Sequence, residues 1–210
     1  MKKISLIILL FLPLFTMAQD PLRFEEEIQK FKDNSNTYDI VFTGSSSVRM
    51  WESLQSDFPD ANLINTGFGG SHMSDLSHYL EVLVLKFKPS LVFIYEGDND
   101  INSGKKPDVV IKETREVLDR IFASSENIRI VLISAKPSPS RFKFKEEYAA
   151  LNEQFKALAL ENDQIRYVDV WEPMLNNEGE PIADIFIEDQ LHMNAKGYAI
   201  WAEVIGPFLD

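Results

Sequence analysis

The chain is predicted to be an α/β protein in three layers, with helices on both faces of a five-stranded parallel sheet. Three observations predict this. Five short runs rich in β-branched and aromatic residues alternate with longer stretches of helical apolar spacing. The composition, 45% hydrophobic and 26% charged over 210 residues, is globular and sufficient for one sizeable core. No internal repeat, low-complexity tract or linker divides the chain, so a single domain over residues 19–210 is expected.

The elements follow in order. A leading amphipathic helix over 24–31 places Phe24, Ile28 and Phe31 on one face. The predicted strands are 39–43, 61–65, 90–96, 128–134 and 165–170. Between them helices are predicted near Trp51 and over 73–87, 107–122 and 145–162, with a last one from Asn194 to about Phe208. Pro107 suits a first helical position because its missing N–H is unsatisfied there anyway, and Asn194 suits a cap. Trp51 and Trp201 fall in helical patterns that point to the core, whereas Trp171 just after the fifth strand is compatible with core or pocket wall.

Residues 1–18 have the pattern of a secretory signal peptide. Lys2 and Lys3 precede an apolar run from Ile4 to Phe15, and the small residues Thr16 and Ala18 follow. The run is short for a membrane span, so cleavage after Ala18 and no stable membrane insertion thereafter are expected, with a periplasmic or extracellular destination. The chain has no cysteine, which excludes disulfides and thiolate metal sites. Its formal net charge is -12, and loss of Lys2 and Lys3 would make it -14. Such a surface repels nucleic acid and anionic lipid.

In an open α/β sheet, ligands bind beyond the carboxyl ends of the strands. Four polar segments fall at or near that edge: Gly44 to Ser47 after the first strand, Asn65 to Gly70 after the second, Gly97 to Asp100 after the third, and Asp189 to His192 before the last helix. Singly each is an ordinary turn or cap signal; their order and placement together are specific. Over essentially the whole segment from Asp39 to Trp201 the sequence resembles the SGNH, or GDSL-like, hydrolase family. The resemblance implies a flavodoxin-like strand order 2-1-3-4-5 and a serine esterase needing no cofactor or metal. It matches Ser46 to the nucleophile, Asp189 and His192 to the rest of a catalytic triad, and Ser46, Gly70 and Asn99 to oxyanion donors. One departure is that Ser45 stands where the family's Gly-Asp-Ser has Asp; Ser45 and Ser47 flank the favoured serine, and spacing from Gly44 selects Ser46.

The chemistry agrees with the match. A serine hydroxyl needs a base to take its proton. His192 has a carboxylate three residues before it, close enough on one turn to fix its tautomer. His72 and His78 have none at that spacing, and neither belongs to a metal-site pattern. The segment from Asp98 to Asn102 starts like a calcium loop, but Ser103 and Val109 stand where Gly and Glu are required. Glu96, Asp98 and Asp100 could form a glycosidase carboxylate pair, although capping roles fit them better. Phe68, His72, Lys136, Arg141 and Trp171 are candidates to border the substrate, with a rigid turn as the alternative for the proline-containing stretch 136–141. The expected partner is a small-molecule or carbohydrate ester, acetyl-type in particular. A lipase or lysophospholipase, an acyltransferase and a non-catalytic carbohydrate-binding module remain alternatives.

Overall fold

The computed structural model describes residues 23–209. The predicted signal peptide, residues 1–18, lies outside them. In chain order the elements are α1 (Glu25–Lys32), β1 (Ile40–Gly44), α2 (Ser46–Arg49), α3 (Leu54–Asp57), β2 (Leu63–Asn65), α4 (Met73–Leu83), β3 (Leu91–Tyr95), α5 (Asp98–Asn102), α6 (Pro107–Ser124), β4 (Arg129–Ile133), α7 (Lys145–Glu161), β5 (Ile165–Val168) and α8 (Ala195–Ile205). All sheet pairings are parallel, in the order β2-β1-β3-β4-β5 that the family resemblance implies.

Period-2 alternation along the strands divides the core in two. Val41, Val92, Ile94, Ile130 and Leu132 face one way and pack with residues of α1, α4, α6 and α7. Phe42, Phe93, Val131 and Ile133 face the other way, toward Trp51, Leu54, Trp201 and Ile205. Phe42 and Phe93, register partners on β1 and β3, stack with ring centroids 4.2 Å apart. Both faces are covered, which is why these strands are continuous apolar runs rather than half-polar ones. Trp51 and Trp201 are core residues, as predicted.

The structure corrects several boundaries. The helix predicted near Trp51 is two short helices, α2 and α3, with Trp51 buried between them. The helix predicted over 73–87 ends at Leu83 and gives way to a 3-10 turn, Leu85–Phe87. Val84 leaves helical geometry with φ -132, and Lys88 takes the left-handed φ of 54 before Pro89. The last helix likewise tightens to a 3-10 turn at Gly206–Phe208, which contains Pro207. Pro107 is the first residue of α6, and the Asn194 side chain caps α8 by accepting from the Lys196 and Gly197 amides. Among the described residues no helix is long and apolar enough to cross a membrane.

Candidate active site

β1 delivers the first component. Its last residue, Gly44, lies opposite Tyr95 with φ +130, and a Cβ there would collide with the Tyr95 carbonyl. The chain turns sharply into α2, so Ser46 is the first helical residue at the carboxyl edge of the sheet. Ser45 and Ser47 are both 2% exposed, whereas Ser46 is partly exposed. Burial thus separates three serines that sequence alone distinguishes only by spacing.

The base arrives from the opposite end of the chain. Between β5 and α8 the loop folds on itself through an isolated bridge, Phe186 to Met193, and the Ile187 amide donates to the His192 carbonyl at 2.8 Å. Gln190 takes φ +56 to close this turn, an unusual conformation for a residue with a side chain. Asp189 Oδ1 accepts the Leu191 and His192 amides, each at 2.9 Å, and Oδ2 lies 2.5 Å from His192 Nδ1. His192 Nε2 lies 2.8 Å from Ser46 Oγ. Residues 146 positions apart are thereby joined in one relay. Although burial opposes its charge, the bonds from the His192 ring and from the His192 and Leu191 amides bring Asp189 down to about 2. An ionised Asp189 retains the Nδ1 proton, which leaves Nε2 free to accept from the serine.

The third side is the loop after β2. The Asn65 carboxamide donates to the Val48 carbonyl at 2.6 Å, and the Phe68 amide donates to the Gly44 carbonyl at 2.9 Å, tying the loop to the turn that carries Ser46. Gly70 follows with φ +73. Helix α1 and the turn before it clamp the loop: the Glu27 carboxylate accepts the Gly69 amide at 3.2 Å, and the Arg23 guanidinium donates to the Gly70 carbonyl. Among the described residues no acceptor engages the Ser46 or the Gly70 amide. Opposite the loop stands Asn99 in α5, its Nδ2 donating to the Ser71 carbonyl at 2.9 Å. A carboxamide has a second N–H to offer.

A hydroxyl within reach of an oriented imidazole, beside two unengaged amides and a carboxamide, is an arrangement suited to acyl transfer. Residues 34–200 match the family of GDSL-like lipases and acylhydrolases. The chain belongs to this family. As a GDSL-like acylhydrolase it is an esterase-type enzyme. Its fold is shared with a Streptococcus pneumoniae protein, with a TM-score of 0.81 and 21% identity over 90% of this chain and 94% of that one. A GDSL-like lipase of Bacteroides thetaiotaomicron superposes with a TM-score of 0.72, at 21% identity over 90% and 97%. An acetyl-xylooligosaccharide esterase of Geobacillus stearothermophilus does so at 0.68, with 16% identity over 83% and 95%. No curated protein matches the chain.

The residues predicted to border the substrate fall differently in this acylhydrolase. Phe68 is fully buried, edge-on to Phe24 at 4.9 Å, so it belongs to the core. Lys136 is 1% exposed and ion-paired to Asp98 at 3.1 Å, so it does not face solvent either. Both corrections have one cause: the loops at the sheet edge fold inward, and an apolar ring or a neutralised ammonium is covered there. His72 is half-buried at the start of α4, its amide donating to Asp75 at 2.8 Å, and burial lowers its pKa. Trp171 is partly exposed and packs against Phe142 and Tyr148. Arg141 touches Asp98 and Asn99. Of the three acidic residues 96, 98 and 100, Glu96 accepts from Ser71 Oγ at 2.5 Å and Asp100 accepts the Met73 amide at 3.2 Å. Nothing in the sequence around Arg23 and Glu27, at the start of the leading helix, signals a partner more than forty residues away, so neither was a sequence candidate.

Proposed function

We propose that the protein is a serine esterase that hydrolyses short-chain, acetyl-type esters of carbohydrates or small molecules through an acyl-enzyme. The observation that carries this reading is the continuous relay Asp189–His192–Ser46, with contacts of 2.5 and 2.8 Å. Ser46 Oγ attacks the acyl carbon while His192 Nε2 takes its proton. The carbonyl oxygen becomes an oxyanion facing the Ser46 and Gly70 amides and the Asn99 carboxamide. Collapse expels the alcohol, which receives the proton from His192 and leaves the acyl group on Ser46. Water then repeats the attack with His192 as base, releasing the acid and restoring the serine.

The preference for short acyl groups rests on what the connections at the sheet edge are used for. A long acyl chain needs an extensive apolar wall, at about 0.8 kcal/mol per buried methylene, and among the described residues the longest connection, 169–194, carries the Asp189–His192 turn. Among proteins of this fold, one is described as an acetyl esterase with an acetate ion and another as an acetyl-xylooligosaccharide esterase, which accords with this preference. Export through residues 1–18, part of the same proposal, would bring the enzyme to acetylated polysaccharide.

The test is kcat/KM across acetate, butyrate, octanoate and palmitate p-nitrophenyl esters, alongside acetylated sugars and phospholipids. Acetate is expected to be the best acyl group, and a rise toward palmitate would make the enzyme a lipase. Ser46→Ala should lose on the order of 10⁶ in turnover, and Ser45→Ala little. Ester product formed in place of free acid when a sugar acceptor is added would make it an acyltransferase.

A further inference from the structure

We infer that Arg141 is a positioning residue that locks the Asn99 carboxamide with its nitrogen, not its oxygen, on the side of Ser71 and Gly70. The inference rests on the esterase reading above, in which Asn99 donates to the oxyanion.

A carboxamide is nearly symmetric in shape and opposite in character at its two ends. Turned one way it stabilises an oxyanion; turned the other it repels one. Its neighbours must therefore decide. On one side the Ser71 carbonyl, which can only accept, lies 2.9 Å from Nδ2. On the other side Arg141 Nη1, which can only donate, lies 3.0 Å from Oδ1. Flipping Asn99 would set donor against donor and acceptor against acceptor at once. Ser71 alone would leave Oδ1 without a partner; Arg141 completes the pair.

Arg141 is itself held. The same Nη1 donates to Asp98 Oδ1 at 2.7 Å, using its second hydrogen. Asp98 also accepts from Tyr148 Oη at 2.8 Å on Oδ1, and from Tyr95 Oη at 2.9 Å and Lys136 Nζ at 3.1 Å on Oδ2. A carboxylate with four donors has no freedom to release the guanidinium. The cluster holds two cations against one carboxylate, so its surplus charge is positive beside the place where negative charge would develop. Arg141 comes from the 3-10 turn Pro139–Phe144, and the amide of its neighbour Ser140 donates to the Gln190 carbonyl at 3.1 Å. One short segment thus braces Asn99 on one side and the Asp189–His192 turn on the other. This gives the stretch 136–141 a role distinct from either of its sequence readings, substrate border or plain turn.

The experiment is a double-mutant cycle on acetate-ester turnover, with thermal unfolding of each variant as control. Arg141→Met should lower kcat by roughly 10² with KM nearly unchanged, since only the transition state carries the oxyanion. Arg141→Lys, which still only donates, should retain more activity than the methionine variant. In an Asn99→Ala background, Arg141→Met should cost little more, because there is no longer a carboxamide to orient. Additive losses would overturn the inference and assign Arg141 a separate role, as would wild-type kcat in Arg141→Met. If the methionine variant does not fold, Arg141→Gln, which removes the charge and can present an acceptor to Oδ1, takes its place in the cycle with the same criteria. Full kcat in Asn99→Ala would instead remove Asn99 from the oxyanion site, a failure of the esterase geometry that is distinguishable from a failure of Arg141.

Discussion

Two aspartates at the same edge of the sheet solve opposite problems. The Asp189 side chain is 43% exposed and is held by its own turn: two amides and an imidazole, all within three residues of it. The Asp98 side chain is 4% exposed and is held by Tyr95, Lys136, Arg141 and Tyr148, the last three brought to it from 38 to 50 positions away. Burial opposes the charge of Asp98, but the two cations and the hydrogen bonds of Arg141 and Tyr148 hold it well below the usual carboxylate range. The difference teaches where each kind of precision comes from. In the proposed mechanism, a carboxylate that only orients a proton-exchanging histidine stays near water on a short, locally bonded turn. A group that must hold another group still is anchored in a buried network, at the cost of depending on the whole fold.

That contrast can be broken or sharpened by substitution. The largest effect is expected from Asp189→Asn, which should lower kcat by on the order of 10⁴ by favouring the wrong histidine tautomer. Its stability should stay within about 0.5 kcal/mol of wild type, as for an exposed site. Near-normal turnover would remove Asp189 from the relay. Asp98→Asn should do the reverse and act first on the fold. Leaving Lys136 and Arg141 buried without their counter-charge should cost about 3–5 kcal/mol in urea unfolding, and a loss below 1 kcal/mol would mean that water compensates the cluster.

The smallest effect concerns Glu96, next along the chain from Tyr95. It is 1% exposed, and among the described residues its Oε2 has no partner. Burial first, then the nearby charges of Asp100, Asp75 and Asp98, push its pKa well up, against the opposing pull of the Ser71 hydrogen bond. A carboxyl raised on folding contributes stability that is complete below its unfolded pKa, about 4.3, and is lost as pH rises through the folded value. Glu96→Gln keeps a neutral group and removes that dependence. Its stability relative to wild type should therefore increase with pH over this window, by at most about 1.4 kcal/mol per pH unit. A difference that does not change between pH 5 and pH 8 would show that Glu96 carries no linked proton.

The layers, the strand order, the capping of α8 by Asn194 and the pairing of Asp189 with His192 were all legible in the sequence. The layers, the cap and the Asp–His pairing rest on local signals: apolar periodicity, a cap residue before a helix, two residues on one turn; the strand order came with the family resemblance. The limits of that legibility lie where polar groups meet across the fold. From spacing alone Phe68 and Lys136 are as good candidates for the substrate border as Arg141. Tertiary packing buries the first two and sets the third against Asn99.

The sequence by itself placed the polar segments at one edge of the sheet, because periodicity and turn signals are properties of neighbouring residues, and its resemblance to the family pointed to the candidate site residues among them. Only the tertiary structure decided which of three adjacent serines meets the histidine, which helix clamps the glycine loop and which way the Asn99 carboxamide faces. Those outcomes depend on donors and acceptors up to 146 positions apart, whose meeting is set by the packing of helices on the sheet and not by any spacing along the chain.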